Sequence, residues 1–257
     1  MGYGGMTPRL HYFERVSSTM DVLHELAAAG AEAGTAVLAA EQLEGRGARG
    51  RTWHSPLGGL WLSVLFRPSA ADGLDVISLR AGLSAAEALQ TLLPMLIQVK
   101  WPNDLILDNQ KLGGVLCEAR WQGDVLGWVT IGVGINVHNA VPDDYGSRAI
   151  ALGALVPAIT IDEVTHLLLP ALRSLDLRAG RLSADELRRF SRRDWLCGRE
   201  IREPVAGMVQ GIGEDGALLV HQGTGSSVAV RSGSVELAGS LPAGNFDHAT
   251  RARHREH

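Results

Sequence analysis

Apolar residues follow helical spacing in some stretches of the chain and strand spacing in others. Val22, Leu23 and Leu26 share one face of a segment that starts near Ser18-Thr19-Met20-Asp21, where Ser18 and Asp21 stand at capping-box spacing, and ends before Gly34. That pattern predicts a first helix. Thr35 to Ala40 then reads as a strand. A second helix is expected over Val76 to Leu93, with Leu79, Leu83 and Leu89 buried and Pro94 stopping it. Short, apolar, partly alternating runs at Leu60 to Phe66, Ile97 to Trp101, Gly113 to Ala119 and Val125 to Val133 predict strands of a sheet with one face under helices. Two more helices are expected, Ile161 to Arg178 and Ala184 to Phe190, the second opened by the capping box Ser183-Ala184-Asp185-Glu186. The fold class is therefore α+β.

The pattern changes after Leu196. From Arg199 onward short strands are separated by turn signals, among them Asp215-Gly216 between Val209-Gln210 and Leu218-Leu219-Val220. About forty residues of this kind suit a small β-barrel. The stretch after Pro242 has no periodicity and reads as a disordered tail, although Arg251 to His257 also resembles a nucleic-acid arm. The expected division is 7–195 for a main domain, 196–240 for the barrel and 241–257 for the tail.

Composition narrows the function classes. With 257 residues, one large domain and a small appendage are the natural reading, and 46% hydrophobic residues supply a substantial core. A formal net charge of −4 provides no sequence-wide basic surface for nucleic acid or anionic lipid, so any basic site is local. Met1 to Arg9 lacks the apolar run of a signal peptide, and no apolar stretch approaches the ~20 residues of a membrane span. A cytoplasmic location is expected. Cys117 and Cys197 stand far apart and read as ordinary buried thiols.

Candidate chemistry gathers in three places. In Gly45-Arg46-Gly47-Ala48-Arg49-Gly50-Arg51, three glycines let backbone N–H groups approach an anion while three arginines supply forked donors. Alone, such a run also fits a solvated loop; it is neither a Walker loop nor a Rossmann turn. The second place is Val99-Lys100-Trp101-Pro102-Asn103-Asp104, followed by Lys111-Leu112-Gly113-Gly114. Pro102 stiffens a strand end that presents an amide and a carboxylate, and glycines keep the surroundings of Lys111 open. A plain hairpin, with Asn103 and Asp104 satisfying turn backbone, fits the hexapeptide equally well. The third is Ile131-Gly132-Val133-Gly134-Ile135-Asn136, a strand whose glycines leave room for a flat group or mark a bulge.

Together, in this order, these segments resemble the biotin–protein ligases. Gly45 through Arg51 is similar to that family's biotinyl-adenylate loop, Lys100-Trp101-Pro102-Asn103-Asp104 to its nucleotide-side motif, and Lys111-Leu112-Gly113-Gly114 to its catalytic-lysine strand. Ser18, Thr19 and Gln42 occupy places where the family contacts the ureido ring of biotin. Trp53 sits where an aromatic residue covers the adenine. Arg199 to Leu237 resembles the C-terminal SH3-like domain, so the likeness runs from about Leu10 to Leu237. It implies a mixed sheet with helices packed on it plus that small barrel. Met20 stands where the family often has Asn, and Ala48 at a loop position that is basic in some members.

The resemblance implies an enzyme that uses biotin, ATP and Mg²⁺, the metal carried by ATP phosphates rather than by a protein cage. Lys111, Arg46 and Asp104 are its expected catalytic residues. Biotin is expected on Ser18, Thr19, Gln42, Gly45, Arg46, Lys111 and Gly113. The adenylate is expected on Arg46, Arg49, Arg51, Trp53, Lys100, Asn103 and Asn136. Lys111 and Arg46 suit the meeting of a carboxylate with a phosphate, Asp104 suits orientation of an acceptor amine, and Asn103 suits phosphate or metal. The implied partner is a biotin carboxyl carrier protein domain of a carboxylase, with a homodimer left open. Biotin-sensing repressors of the family carry a helix-turn-helix ahead of the ligase, and only about nine residues precede the main domain here, so no specific DNA binding is expected. A lipoate–protein ligase is the nearest alternative enzyme, and a non-enzymatic biotinyl-adenylate sensor the alternative from another class.

Overall fold

A computed structural model describes residues 9–141, 149–223 and 225–239, so the expected tail 241–257 lies outside the described residues. Seven strands form a mixed sheet in the order β1-β2-β3-β7-β6-β5-β4: β1 Leu10–Val16, β2 Ala36–Gln42, β3 Leu60–Phe66, β4 Gln98–Lys100, β5 Asp104–Leu107, β6 Gln110–Gln122 and β7 Val125–Ile135. β1 runs parallel to β2, and every other neighbouring pair is antiparallel. Among the described residues four α-helices accompany them: α1 Thr19–Ala28, α2 Ile77–Leu89, α3 Ile161–Arg173 and α4 Ala184–Ser191.

Helices cover both faces of the sheet, not one as the strand patterns suggested. Leu60, Leu62, Val64 and Phe66 of β3 join α2 and α3 in the main core, whereas Leu65 and Val37 pack with Leu23 and Ala27 of α1 on the opposite side. β3 is consequently buried along its whole length, as a strand between two layers must be. On the α1 side, alternate positions of β7 read Trp128, Thr130, Gly132, Gly134, and their β6 partners Arg120, Glu118, Leu116, Gly114. The helix packs on Trp128; beyond it the glycines form a bare floor.

Local signals explain most boundaries. α4 has the expected capping box between Ser183 and Glu186, and α3 has one between Thr160 and Glu163. α1 departs from expectation: Ser18 is its N-cap, but the hydroxyl accepts from the Met20 amide at 3.3 Å and Asp21 turns to Arg46 instead. α2 ends at Leu89 and a 3₁₀ turn at Gln90–Leu92 leads to Pro94. Cys197 is exposed, against the expectation of a buried thiol; burial pushes the Cys117 thiol up to about 12.

The second sheet is antiparallel, in the order β11-β10-β9-β8-β12: β8 Glu200–Glu203, β9 Gly207–Ile212, β10 Leu218–His221, β11 Ser227–Val230 and β12 Glu236–Leu237. Asp215 and Gly216 form its β9–β10 turn, with Gly216 at φ 78° and Asp215 Oδ1 accepting from the Ala217 amide. This sheet docks on the Lys100–Asp104 segment. Trp101 Nε1 donates to Gly216 O at 2.9 Å, and Ile201, Val209, Leu218 and Val220 continue the main core.

Candidate functional site

The glycine floor sets the geometry of the site. The Trp53 indole lies against it, so a Cβ at Gly134 would sit 2.7 Å from Trp53 Nε1 and one at Gly114 3.5 Å from the ring. Gly113 is equally closed to a side chain, with Gly134 O 2.5 Å from where its Cβ would be. Lys111, near the start of β6, places Nζ 2.6 Å from Asp104 Oδ1 and 4.8 Å from the Trp53 ring centroid. Because β5 and β6 are paired strands, the lysine and its carboxylate are set by sheet register. The Trp53 N–H is buried without an acceptor, a cost that an incoming polar ligand would remove.

The Gly-Arg loop faces this floor from the end of β2. Gly45 has no room for a side chain: a Cβ there would lie 2.3 Å from Trp53 O and 2.5 Å from Ser55 Oγ. Its carbonyl accepts from the Trp53 amide, and Gly47 N donates to Arg51 O, so the loop folds back on itself. Arg46 Nη1 reaches Asp21 Oδ1, and Nη2 reaches Glu118 Oε2 at 3.3 Å. An open depression of about 470 Å³ is bordered by Arg46, Arg49, Arg51, Leu116 and Glu118, among others. Arg49, at φ 64°, donates to Ser234 Oγ in the segment leading into the last strand of the second sheet, and Arg51 Nε to Ala48 O.

The other expected residues divide by how they are engaged. Thr19 N and Oγ1 donate to Gln42 Oε1 at 2.8 and 3.0 Å, and Gln42 Nε2 donates to Ser55 Oγ at 2.8 Å. Ser18 is buried at the N-terminus of α1. Met20 packs its sulfur on Gly132 and is an apolar wall of this corner. Lys100 lies 5.4 Å above the Trp195 ring; burial pulls its pKa down, against the raising effect of Asp104. Asn103 Nδ2 donates to Val115 O at 2.7 Å, which ties it to backbone, and Asn136 holds Lys111 O and Asn139. Three residues that sequence reasoning passed over join the site: Asp21, His24 and Glu118. His24 and Glu118 meet at 2.9 Å across ninety-four positions of chain, a contact only the fold creates. The signal for Asp21 existed, since a carboxylate in the first turn of α1 was read as a cap.

Among the described residues no group of three or more His, Cys, Asp and Glu is placed to hold a metal ion, and no helix is long and apolar enough to cross a membrane. The chemistry on offer includes two cations, Lys111 against the Trp53 ring and the loop residue Arg46 against Glu118 of the same strand, suited to holding two anions together.

Known proteins resemble this chain in sequence and fold. The model of the biotin/lipoate A/B protein ligase family matches residues 12–136, and that of the biotin protein ligase C-terminal domain matches residues 199–238. The biotin–[acetyl-CoA-carboxylase] ligase of Paracoccus denitrificans is 30% identical over 217 residues, covering 75% of this chain and 86% of that protein. The bifunctional ligase/repressor BirA of Escherichia coli is 33% identical over 204 residues, or 74% of this chain; the chain spans 63% of that protein and 47% of its Bacillus subtilis counterpart. Among solved structures, the biotin protein ligase of Aquifex aeolicus in complex with biotin and ATP superposes with a TM-score of 0.75 at 27% identity, covering 90% of this chain and 99% of the other. The Leishmania major enzyme in complex with biotinyl-5-AMP gives 0.62 at 26% identity, covering 88% and 99%. With 30% identity over 86% of the Paracoccus denitrificans ligase, the chain belongs to the biotin–protein ligase family.

Proposed function

We propose that the chain is an ATP-dependent biotin–protein ligase, which forms biotinyl-5′-AMP and then transfers biotin to a lysine of a biotin carboxyl carrier domain, releasing AMP. The observation that carries this reading is the Lys111–Asp104 pair set against Trp53, on the same strand β6 whose Leu116 and Glu118 border, with Arg46, the open depression. In the first step a biotin carboxylate oxygen attacks the α-phosphorus of ATP, the bond to pyrophosphate breaks, and pyrophosphate leaves with its Mg²⁺. Two anions must meet, and Lys111 neutralises the charge that builds on the α-phosphoryl oxygens while Arg46 takes a forked contact with the same groups. In the second step the acceptor amine attacks the acyl carbon and AMP departs. Asp104 then exchanges Lys111 for the amine and accepts its proton.

Gln42 and Thr19 form a polar corner suited to the ureido ring, Trp53 is the aromatic surface for the adenine, and Lys100, Arg49 and Arg51 supply charge along the phosphates. Residues 7–195 act as the catalytic domain and 196–240 as the SH3-like one. Incubation with biotin, ATP, Mg²⁺ and a carrier domain should add one biotinyl group to the carrier, read by mass. Equal labelling with lipoate, or none with biotin, would refute the assignment.

A further inference from the structure

Behind Arg46 lies a chain of hydrogen bonds that none of the expected site residues accounts for. Trp128 Nε1 is 2.9 Å from His24 Nδ1. An indole N–H can only donate, so Nδ1 accepts and the imidazole proton sits on Nε2. That Nε2–H points at Glu118 Oε2, 2.9 Å away, with Thr130 Oγ1 at 3.3 Å. Glu118 in turn meets Arg46 with both oxygens, Oε1 at 3.3 Å from Nε and Oε2 at 3.3 Å from Nη2, while Arg120 approaches Oε2 at 3.2 Å. Asp21 takes the other end of the guanidinium. His24 is largely buried, with 11% of its side chain exposed, and Trp128 is fixed in the α1 cluster, so the relay starts from a packed anchor.

We propose that His24 is a positioning residue: held by Trp128, it orients Glu118 so that Glu118 and Asp21 together present Arg46 to the ligand. The grip is deliberate but incomplete. Arg46 keeps a third of its side chain exposed (33%), and Arg46 and Glu118 both border the depression, so the guanidinium is aimed yet keeps N–H groups for an anion. The hydrogen bond from His24, ahead of the Arg46 and Arg120 charges, holds the Glu118 carboxyl below the usual carboxylate range, which keeps it an acceptor. A loop arginine left to itself would pay rotamer entropy on every binding event; one held by two carboxylates has paid it beforehand.

This inference rests on the ligase reading for its kinetic arm only. Trypsin cleavage after Arg46 in the unliganded protein tests it independently, because a gripped arginine cannot enter the protease. His24→Leu removes both of its hydrogen bonds, Glu118→Gln weakens the grip with little change of shape, and His24→Gln restores a donor toward Glu118. Cleavage after Arg46 should rise about tenfold in His24→Leu and Glu118→Gln, the scale of one charge-assisted hydrogen bond, and return near the wild-type rate in His24→Gln. In pyrophosphate release the first two variants should raise the biotin KM several-fold with kcat little changed, since the Arg46 contact is made in ground and transition states alike. Wild-type cleavage in Glu118→Gln, faster cleavage at every arginine together with a lower Tm, or failure of His24→Gln to rescue would each overturn the relay. Absence of pyrophosphate release from the wild type would refute the ligase reading instead, and the cleavage rates would still decide the relay.

Discussion

The two halves of the site hold their cations by different means. Lys111 and Asp104 stand on paired strands, where hydrogen-bonded register and a floor of glycines fix their separation at 2.6 Å. Arg46 stands on a loop whose own backbone supplies a few bonds and whose position depends on carboxylates from α1 and β6. Strand-borne groups are precise before any ligand arrives, while loop-borne ones gain partners when an anion does. The difference makes mutations on the two sides fail in different ways.

The strand half should give the largest effect. Lys111→Ala should cut adenylate formation ~10²–10³-fold, because it removes a charge placed against the transition-state phosphoryl group, and the fold should survive, since the lysine lies at the site's edge rather than in the core. Pyrophosphate release near the wild-type rate would count against the assignment. Next comes the junction of the halves. Gly45→Ala would press a methyl within 2.3 Å of Trp53 O, so the loop must shift, at a cost of about 1–3 kcal/mol in stability and with loss of the aromatic wall's position. Thermal melting together with biotin binding checks it; an unchanged Tm would show that the loop yields freely.

A smaller effect is expected on the loop alone. Protease cleavage between Gly45 and Arg51 should slow several-fold with biotin plus ATP, as Arg49 and Arg51 turn from Ser234 and Ala48 O to phosphate. Equal rates with and without ligands would mean that the resting loop is already the bound one.

The same contrast governs what the sequence made readable. Strand and helix periods located β3 to the residue and the longer helices to within a few, because burial on a period is a local property. Two elements escaped. β1 exposes Leu10 and Tyr12 at the edge of the sheet, so its alternation points the apolar residues the wrong way, and β5 is only four residues long. The second helical layer was also missed, since a sequence shows that β3 is apolar throughout but not that α1 crosses to the other face. In the site, Gly45, Lys111 and Gly134 stood out only through the joint order of three segments, each of which alone also fitted a solvated loop, a hairpin or a bulge. Asn103 reads the same way yet serves the backbone through Val115 O. Asp21, His24 and Glu118 carry no motif, and their meeting depends on the register of β6 with β7 and on how α1 lies across both.

The smallest expected effect is one of pH, and it belongs to the loop half. Glu118 faces His24 from α1, Arg46 from the loop, Arg120 from its own strand and its register partner Thr130 from β7, with Asp21 against Arg46 and Trp128 behind His24. The His24 hydrogen bond first, and then the two arginine charges, set its folded pKa below the unfolded value. A carboxyl lowered in this way contributes stability that is fully present above the unfolded pKa and is lost as pH falls through the folded one. The Tm gap between wild type and Glu118→Gln should therefore be constant near neutrality and narrow as pH falls below the ordinary carboxylate range, where the wild-type side chain becomes a neutral acceptor and donor like the amide. A gap that stays constant from neutral to acid pH would show that Glu118 does not hold Arg46 through its charge, and the loop would then have to be positioned by its backbone alone.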